Sequence, residues 1–169
     1  ITAKIEKIQG SKVSTHEELL SKELNFEDGK WPEMRAPELW ESQQLNNLDG
    51  MVWMRKSITV TKEDANKKAI LELAKIDDQD FAYINGVLIG TTNNYTKKRT
   101  YEIPEGLLKE GKNVIAIKII DNTGGGGIYG DKSDLKLTLQ NSVIPLSGQW
   151  KFNVVQIKSY AFAVRIIKV

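Results

Sequence analysis

The dipeptide Asn85-Gly86 constrains the fold of this chain more than any other feature. It separates two apolar runs, residues 81–84 and 87–89, and this arrangement is the strongest short-range signal for a β-hairpin. A two-residue turn of type I′ requires a positive φ at both central positions, which Asn and Gly adopt at the lowest cost. The sequence therefore predicts antiparallel β-structure at the centre of the chain, and the hairpin itself contains no charged nucleophile or base.

Several other segments alternate between apolar and polar side chains, as strands with one buried face do. The apolar positions are Val52, Met54, Ile58 and Val60 in one strand, Ile115, Ile117 and Ile119 in another, and Leu135, Leu137 and Leu139 in a third. Turn residues separate many short strands, and no alternation of strands with helices is present. The sequence therefore predicts an all-β, jelly-roll β-sandwich.

A short helix is predicted near the N-terminus, because Thr15 and Glu18 fit a capping box. Leu19, Leu20 and Leu24 are expected to line one side of it. We expect three parts of the chain. They are an N-terminal arm with this helix (1–30), the sandwich (31–152) and a C-terminal strand or tail (153–169).

Composition excludes several classes of function. The 24 basic and 22 acidic side chains leave a net charge of +2, which gives no electrostatic footprint for nucleic acid or an anionic membrane. No apolar run approaches the roughly 20 residues of a membrane-spanning helix. The chain has no cysteine and one histidine, His16, so thiolate and multi-histidine metal sites are excluded. We expect no cofactor, no metal, no nucleic-acid partner and no membrane partner.

The segment from Gly125 to Gly130 formally matches a dinucleotide-binding fingerprint and follows a predicted strand. That chemistry requires a helix next, because the helix N-terminus receives the pyrophosphate. The next regular element alternates like a strand instead. We therefore interpret the segment as a flexible loop, with the alternative that a ligand or a neighbouring backbone approaches it closely.

Two further groups of residues have competing interpretations. Asp77, Asp78 and Asp80 offer the oxygen ligands that calcium prefers, but the Gly and terminal Glu of an EF-hand loop are missing, so a solvated turn is expected. Trp53 and Arg55 share one strand face and are typical of a sugar-binding surface, where a ring stacks on C–H faces and a guanidinium binds hydroxyls. The alternative is that Trp53 belongs to the core and Arg55 caps a sheet edge.

An ordered series of motifs resembles the non-catalytic β-sandwich inserted in sialate O-acetylesterases. The motifs are residues 36–41, 49–56, 76–80, 83–86, 89–90, 99–104, 107–108 and 111–116, Asp121 with its glycine run, and residues 146–151. The same galactose-binding-like sandwich is similar to the sugar-binding jelly-roll domain of family 2 glycoside hydrolases. The resemblance covers roughly residues 31–152.

The resemblance implies a parent carbohydrate esterase that removes acetyl groups from sialic acids or related sugars with a Ser-His-Asp triad. Its Gly-Asp-Ser and Asp-x-x-His motifs do not occur in this chain. We therefore expect a non-catalytic accessory domain that supports or edges the active site of a separate catalytic domain. A sialic acid or related acetylated sugar and that catalytic domain are the implied partners, in a periplasmic or secreted protein. The alternatives are a free-standing carbohydrate-binding module and the sugar-binding domain of a family 2 glycoside hydrolase.

A role in binding sugar or a domain interface is predicted for one set of residues, and no catalytic role for any. The set is Trp53, Arg55, Asn85, Arg99, Asp121, Asn122, Gly125 and Gly126. Asp121 ends a predicted strand, where its carboxylate can accept hydrogen bonds from sugar hydroxyls or from a partner arginine. The glycine run is the expected approach loop.

Overall fold

The computed structural model describes residues 3–7, 19–43, 45–157 and 164–168, and it confirms the predicted all-β class. The strands are β1 (Ala3–Lys7), β2 (Glu33–Ala36), β3 (Leu45–Asn46), β4 (Gly50–Val60), β5 (Ala69–Asp77), β6 (Gln79–Ile84), β7 (Val87–Asn93), β8 (Lys98–Ile103), β9 (Gly111–Asp121), β10 (Gly127–Tyr129), β11 (Leu135–Thr138), β12 (Val143–Pro145), β13 (Gly148–Ile157) and β14 (Val164–Lys168). Two short 3₁₀ helices span Trp40–Ser42 and Lys132–Asp134. None of the helices in these described ranges is long and apolar enough to cross a membrane.

Two antiparallel sheets form the sandwich. The first has the strand order β2-β13-β4-β9-β6-β7. In the second, the order is β10-β5-β11-β12, and β8 also pairs with β5. A small third sheet has the order β1-β14-β3. Pairing of β13 with β4 extends to Ile157, so the first sheet continues beyond residue 152.

The core lies between the inner faces of the two large sheets. The predicted alternation is confirmed, since the apolar positions of β4, β9 and β11 all contribute to one buried cluster. This cluster includes Val52, Met54, Ile58, Val60, Ile115, Ile117, Ile119, Leu135, Leu137 and Leu139. Because successive side chains of a strand point to opposite faces, burial of this set directs the intervening residues outward.

The outward face of β4 and β9 is also covered. Trp53, Val114 and Ala116 form a second buried group, which we call the outer cluster. Leu24 and Trp31, from the segment before β2, pack against it. The sandwich therefore has a packed layer on the outside of its first sheet as well as inside.

Arg55 fixes the segment that covers the outer cluster. Its side chain is 1% exposed, and its Nε donates to Asp28 Oδ2 at 2.8 Å. Nη1 donates to the carbonyls of Ser21 and Glu23, and the guanidinium lies 5.3 Å from the centre of the Phe26 ring. Arg55 thus holds residues 21–28 against the sheet.

The predicted N-terminal helix is not supported. Residues 8–18, which include Thr15 and His16, lie outside the described part of the chain. Leu19 and Leu20 are 58% and 41% exposed, so they do not form a buried apolar side. The chain from Ser21 onward follows turns, with hydrogen bonds from Glu23 N to Leu20 O and from Phe26 N to Glu23 O.

The predicted hairpin is present between β6 and β7. Asn85 and Gly86 have φ values of 50° and 87°, and Ile84 pairs with Val87. The Asn85 amide donates to Asn113 Oδ1 at 2.8 Å, and its oxygen accepts from the Val114 N–H at 2.9 Å. Asn85 therefore has a structural role, because it ties the turn to the start of β9.

The acidic segment before β6 is a connection between sheets. β5 ends at Asp77 and β6 begins at Gln79, and the two strands belong to different sheets. Asp80 is fully buried, so the expectation of a solvated turn is wrong for this residue. Its side chain lies on the core face of β6, two and four residues before the buried Ala82 and Ile84.

A buried ion pair compensates the charge of Asp80. Arg99 Nε donates to Asp80 Oδ1 at 2.7 Å, and both side chains are 0% exposed. The Tyr101 hydroxyl donates to Asp80 Oδ2 at 2.7 Å. Since Arg99 and Tyr101 lie on β8 and Asp80 lies on β6, this group connects the two sheets through side chains.

We expect Arg99→Ala to lower the free energy of unfolding by about 3–5 kcal/mol, because it leaves the Asp80 carboxylate buried and unpaired. Chemical denaturation followed by tryptophan fluorescence measures this loss. Arg35→Ala is the matched control, because Arg35 forms an exposed pair with Glu38 and such pairs contribute little. Equal and small losses in both variants would show that the buried pair does not stabilise the fold.

Candidate functional site

One end of the sandwich brings together several acidic side chains and the glycine run. Asp121 is the last residue of β9 and Asp77 the last of β5, and Gly127 pairs with Asp77. We use the name acidic loop end for Glu41, Asp77, Asp78, Asp121 and the glycine segment 124–127. Strands of both sheets end here, so loops rather than strand faces form the surface.

Three of these carboxylates lie close together. One oxygen from each of Asp77, Asp78 and Asp121 lies within 4.8 Å of the others. Burial raises the pKa of Asp121 to about 7, with further contributions from the charges of Asp49, Glu41 and Asp77. Burial and the neighbouring Asp78 raise the pKa of Asp77 to about 6. The acidic loop end is therefore a desolvated, electronegative site that favours hydrogen-bond donors or a cation.

Asp121 is the most deeply buried of the three. It is 0% exposed, and its Oδ1 accepts from the Thr123 N–H at 3.1 Å. Its Oδ2 has no hydrogen-bond partner among the described residues. Asp78, by contrast, is held by Asn122, whose backbone N–H and side-chain amide both donate to Asp78 Oδ2, at 3.0 and 3.1 Å.

The glycine segment lies directly on Trp40. The Gly126 N–H donates to Glu41 Oε2 at 2.9 Å, and the Trp40 N–H donates to the Gly126 carbonyl at 3.0 Å. A Cβ added at Gly126 would lie 2.0 Å from Trp40 Cζ2, so no larger residue fits while the indole stays in place. β10 follows the segment, and it is a strand rather than the helix that dinucleotide binding requires.

Two tyrosines extend this surface. Tyr129 lies on β10, and its hydroxyl donates to the carbonyl of Tyr95. Tyr95 is 56% exposed, and Arg99 Nη1 holds the same loop by donating to the Asn94 carbonyl at 2.6 Å. Tyr95 is therefore an exposed aromatic residue on a loop that Tyr129 and Arg99 hold in place, and such a ring can stack on the C–H face of a sugar.

The structure brings part of the predicted site together and separates the rest. Asp121, Asn122, Gly125 and Gly126 all lie at the acidic loop end, and Arg99 reaches it because Nη2 donates to the Asp78 carbonyl at 3.1 Å. The other three predicted residues, Trp53, Arg55 and Asn85, lie elsewhere.

Their positions explain the separation. Trp53 is 2% exposed within the outer cluster, so its ring face is not open to a ligand. Arg55 is used to anchor residues 21–28. Asn85 contacts Asn113 near the start of β9, roughly 26 Å along the strand from Asp121 at about 3.3 Å per residue.

Sequence reasoning missed three contributors to the site. Glu41, Tyr95 and Tyr129 come from three separate connections or short strands, and no local pattern links them. The available signals were weak: Glu41 follows Trp40 in a resemblance motif, and Tyr129 follows the glycine run within two residues.

A concave surface lies elsewhere. A groove of about 820 Å³ surrounds the start of β5 and the end of β8, at the other end of β5 from Asp77. Its lining includes Ala69, Ile70, Ile103, Pro104 and Leu139. Among the described residues, the buried side-chain oxygens without a partner belong to Glu41 and Asp121, so we place the candidate site at the acidic loop end and not in this groove.

We expect Gly126→Ala to destabilise the chain by about 1–3 kcal/mol, because the added methyl group overlaps the fully buried Trp40 ring. Chemical denaturation monitored by far-UV circular dichroism measures the change. Gly29→Ala is the control, since a Cβ there meets nothing within 4 Å. If both variants unfold at the wild-type denaturant concentration, the contact between the glycine segment and Trp40 is not tight.

Comparisons with known proteins agree with this architecture. No family model matches the chain. A β-glucuronidase from Formosa agariphila is 23% identical over 117 residues, which are 62% of this chain and 12% of that protein. The similar proteins are β-glucuronidases and a family 2 glycosyl hydrolase, and they do not show the sialate O-acetylesterase setting that the sequence resemblance implies.

Two solved structures share the fold. A glycosyl hydrolase family 2 member from Bacteroides cellulosilyticus matches with a TM-score of 0.57 and 15% identity, over 64% of this chain and 17% of that one. A calcium-binding mutant of Bacteroides uniformis β-glucuronidase 2 matches with a TM-score of 0.59 and 18% identity, over 89% of this chain and 18% of that one. The chain therefore spans only 12–18% of the length of these three proteins, and it has the fold of a β-sandwich that forms a minor part of family 2 glycoside hydrolases.

Proposed function

We propose that this chain is a non-catalytic accessory sandwich of a multidomain carbohydrate hydrolase, related to family 2 glycoside hydrolases. We further propose that its acidic loop end borders the sugar-binding cleft of that protein. The shared fold and the small share of the relatives' length that the chain covers support an accessory role. The activity then belongs to the remainder of such a protein.

The observation that carries the proposal is the composition of the acidic loop end. Sugar hydroxyls are donors, and the half-buried Asp77 offers acceptor oxygens in a partly desolvated setting where hydrogen bonds are strong. We infer that the exposed Tyr95, on the loop that Tyr129 and Arg99 hold in place, provides an apolar platform for the same sugar. Acceptors and an aromatic face together are the combination that carbohydrate recognition requires.

The same geometry argues against glycoside hydrolysis by this chain alone. A glycosidase needs two carboxyl groups on opposite sides of the scissile bond, about 5–5.5 Å apart in retaining enzymes or 6.5–9.5 Å apart in inverting ones. One oxygen from each of Asp77, Asp78 and Asp121 lies within 4.8 Å of the others, and Asp121 is fully buried. Because a carboxyl group excluded from solvent cannot act on a glycosidic bond, we infer that this cluster supports binding and not bond cleavage.

A second candidate setting is a sialate O-acetylesterase, and one observation favours it. The motifs that carry the sequence resemblance include Trp40-Glu41, Asp77-Asp78 and Asp121 with the glycine run. These motifs are distant in sequence but converge at the acidic loop end. In this setting the loop end would border an esterase active site, and the protein would be periplasmic or secreted.

We expect weak, saturable sugar binding by the isolated chain, with a Kd in the millimolar range or about −4 kcal/mol. Titration with methyl β-D-glucuronide and with O-acetylated sialic acid, followed by tryptophan fluorescence and calorimetry, measures it. Tyr95→Ala should weaken binding about fivefold, or roughly 1 kcal/mol. The ligand that binds more tightly identifies the favoured setting.

Leu88→Ala is the control for this experiment. Leu88 is 49% exposed on β7 near the Asn85 turn, which lies at the far end of the sandwich from Tyr95. Binding that both variants reduce equally would place the sugar away from the acidic loop end. An absence of binding by the wild type up to about 10 mM, or −2.7 kcal/mol, would reduce the role of this chain to a scaffold.

A further inference from the structure

The described contacts do not compensate the buried carboxylate of Asp121. Its side chain is 0% exposed, and only Oδ1 receives a hydrogen bond, from the Thr123 N–H at 3.1 Å. Oδ2 is buried without a partner among the described residues. Buried carboxylate oxygens in folded proteins are matched by a donor, a water or an ion, so this atom is a candidate ligand atom for a donor or a cation.

The neighbouring oxygens indicate what that ligand is. Carboxylate oxygens of Asp77, Asp78 and Asp121 all lie within 4.8 Å of one another. Calcium accepts six to eight oxygen ligands in flexible geometry, whereas magnesium requires near-ideal octahedral geometry and loses its water reluctantly. Three carboxylates on a strand end and a connection, in no fixed octahedral arrangement, therefore favour calcium over magnesium.

The local positive charge is already engaged elsewhere. The charge of Arg99 acts on Asp77. Its hydrogen bonds go to other groups, from Nε to Asp80 and from the remaining nitrogens to backbone carbonyls. Glu41 adds a further negative charge, and its Oε1 is likewise buried without a partner in the described part of the chain. Its Oε2 accepts from the Gly126 N–H, which places Glu41 against the same loop.

We propose that the acidic loop end is a calcium-binding site in which Asp77, Asp78 and Asp121 supply the carboxylate ligands. Calcium accepts six to eight oxygen ligands in irregular geometry, so positions remain for water, a main-chain carbonyl or Glu41. A bound cation would satisfy Asp121 Oδ2 and fix the end of β9 to the connection between β5 and β6. This proposal concerns a metal site and does not depend on the proposed sugar role.

Calcium titration of the whole chain, treated first with a chelator and containing no sugar, tests this proposal. We expect saturable binding by calorimetry with a Kd between about 10⁻⁵ and 10⁻³ M, and a Tm that rises with calcium until the site is saturated. Magnesium should bind at least tenfold more weakly. Asp121→Asn should weaken calcium binding at least tenfold and remove the rise in Tm.

Asp134→Asn is the matched control, because Asp134 is an acidic side chain that pairs with Lys98 and is not one of the three clustered carboxylates; this variant should bind calcium like the wild type. Near-UV circular dichroism establishes that each variant is folded. If Asp121→Asn does not fold, the half-buried Asp77→Asn takes its place, with the same loss expected.

The proposal is overturned if the wild type shows no saturable calcium binding up to about 10 mM, or if the folded Asp121 or Asp77 variant binds as tightly as the wild type. The calcium titration contains no sugar, so neither result depends on whether a sugar binds. Conversely, an absence of sugar binding leaves the calcium result unaffected.

Discussion

The buried ion pair between Asp80 and Arg99 organises the end of the sandwich on which the candidate site lies. It joins β6 of one sheet to β8 of the other over 2.7 Å, with both side chains excluded from solvent. The remaining guanidinium nitrogens hold the carbonyls of Asn94, Lys97 and Asp78. One buried charge therefore positions both the loop before β8 and the connection that carries Asp78. A buried arginine and its carboxylate stabilise only as a pair, so the whole arrangement depends on both partners.

The acidic loop end retains charges that a sandwich selected for stability alone would not keep together. Asp77 and Asp121 have raised pKa values because burial and neighbouring acids disfavour their ionised forms. Strained or poorly satisfied groups of this kind concentrate at functional sites. A bound divalent cation would offset two of the negative charges of this cluster and so lower its repulsion of anionic sugars such as uronates and sialates. The two proposals are therefore physically compatible although they are tested separately.

The fold and the function of this chain rest on different observations. Sandwiches of this kind occur within family 2 glycoside hydrolases, but a shared fold does not determine what a loop end binds. The functional argument instead depends on Asp121, Tyr95 and the glycine segment packed on Trp40. These features come from connections between strands and from the end of β9, and connections vary more freely than the core that positions them.

The sequence by itself determined the local features of this protein. The Asn85-Gly86 hairpin and the buried faces of β4, β9 and β11 follow from turn chemistry and a two-residue period, both of which act between near neighbours. The same two-residue period also predicts burial of Asp80, because it shares the core face of β6 with Ala82 and Ile84. Tertiary structure alone decided that the Trp53 face is covered by the segment anchored through Arg55, and that Glu41, Asp77 and Asp121 meet. Those contacts join residues tens of positions apart, and their formation depends on how two sheets pack, which no local pattern encodes.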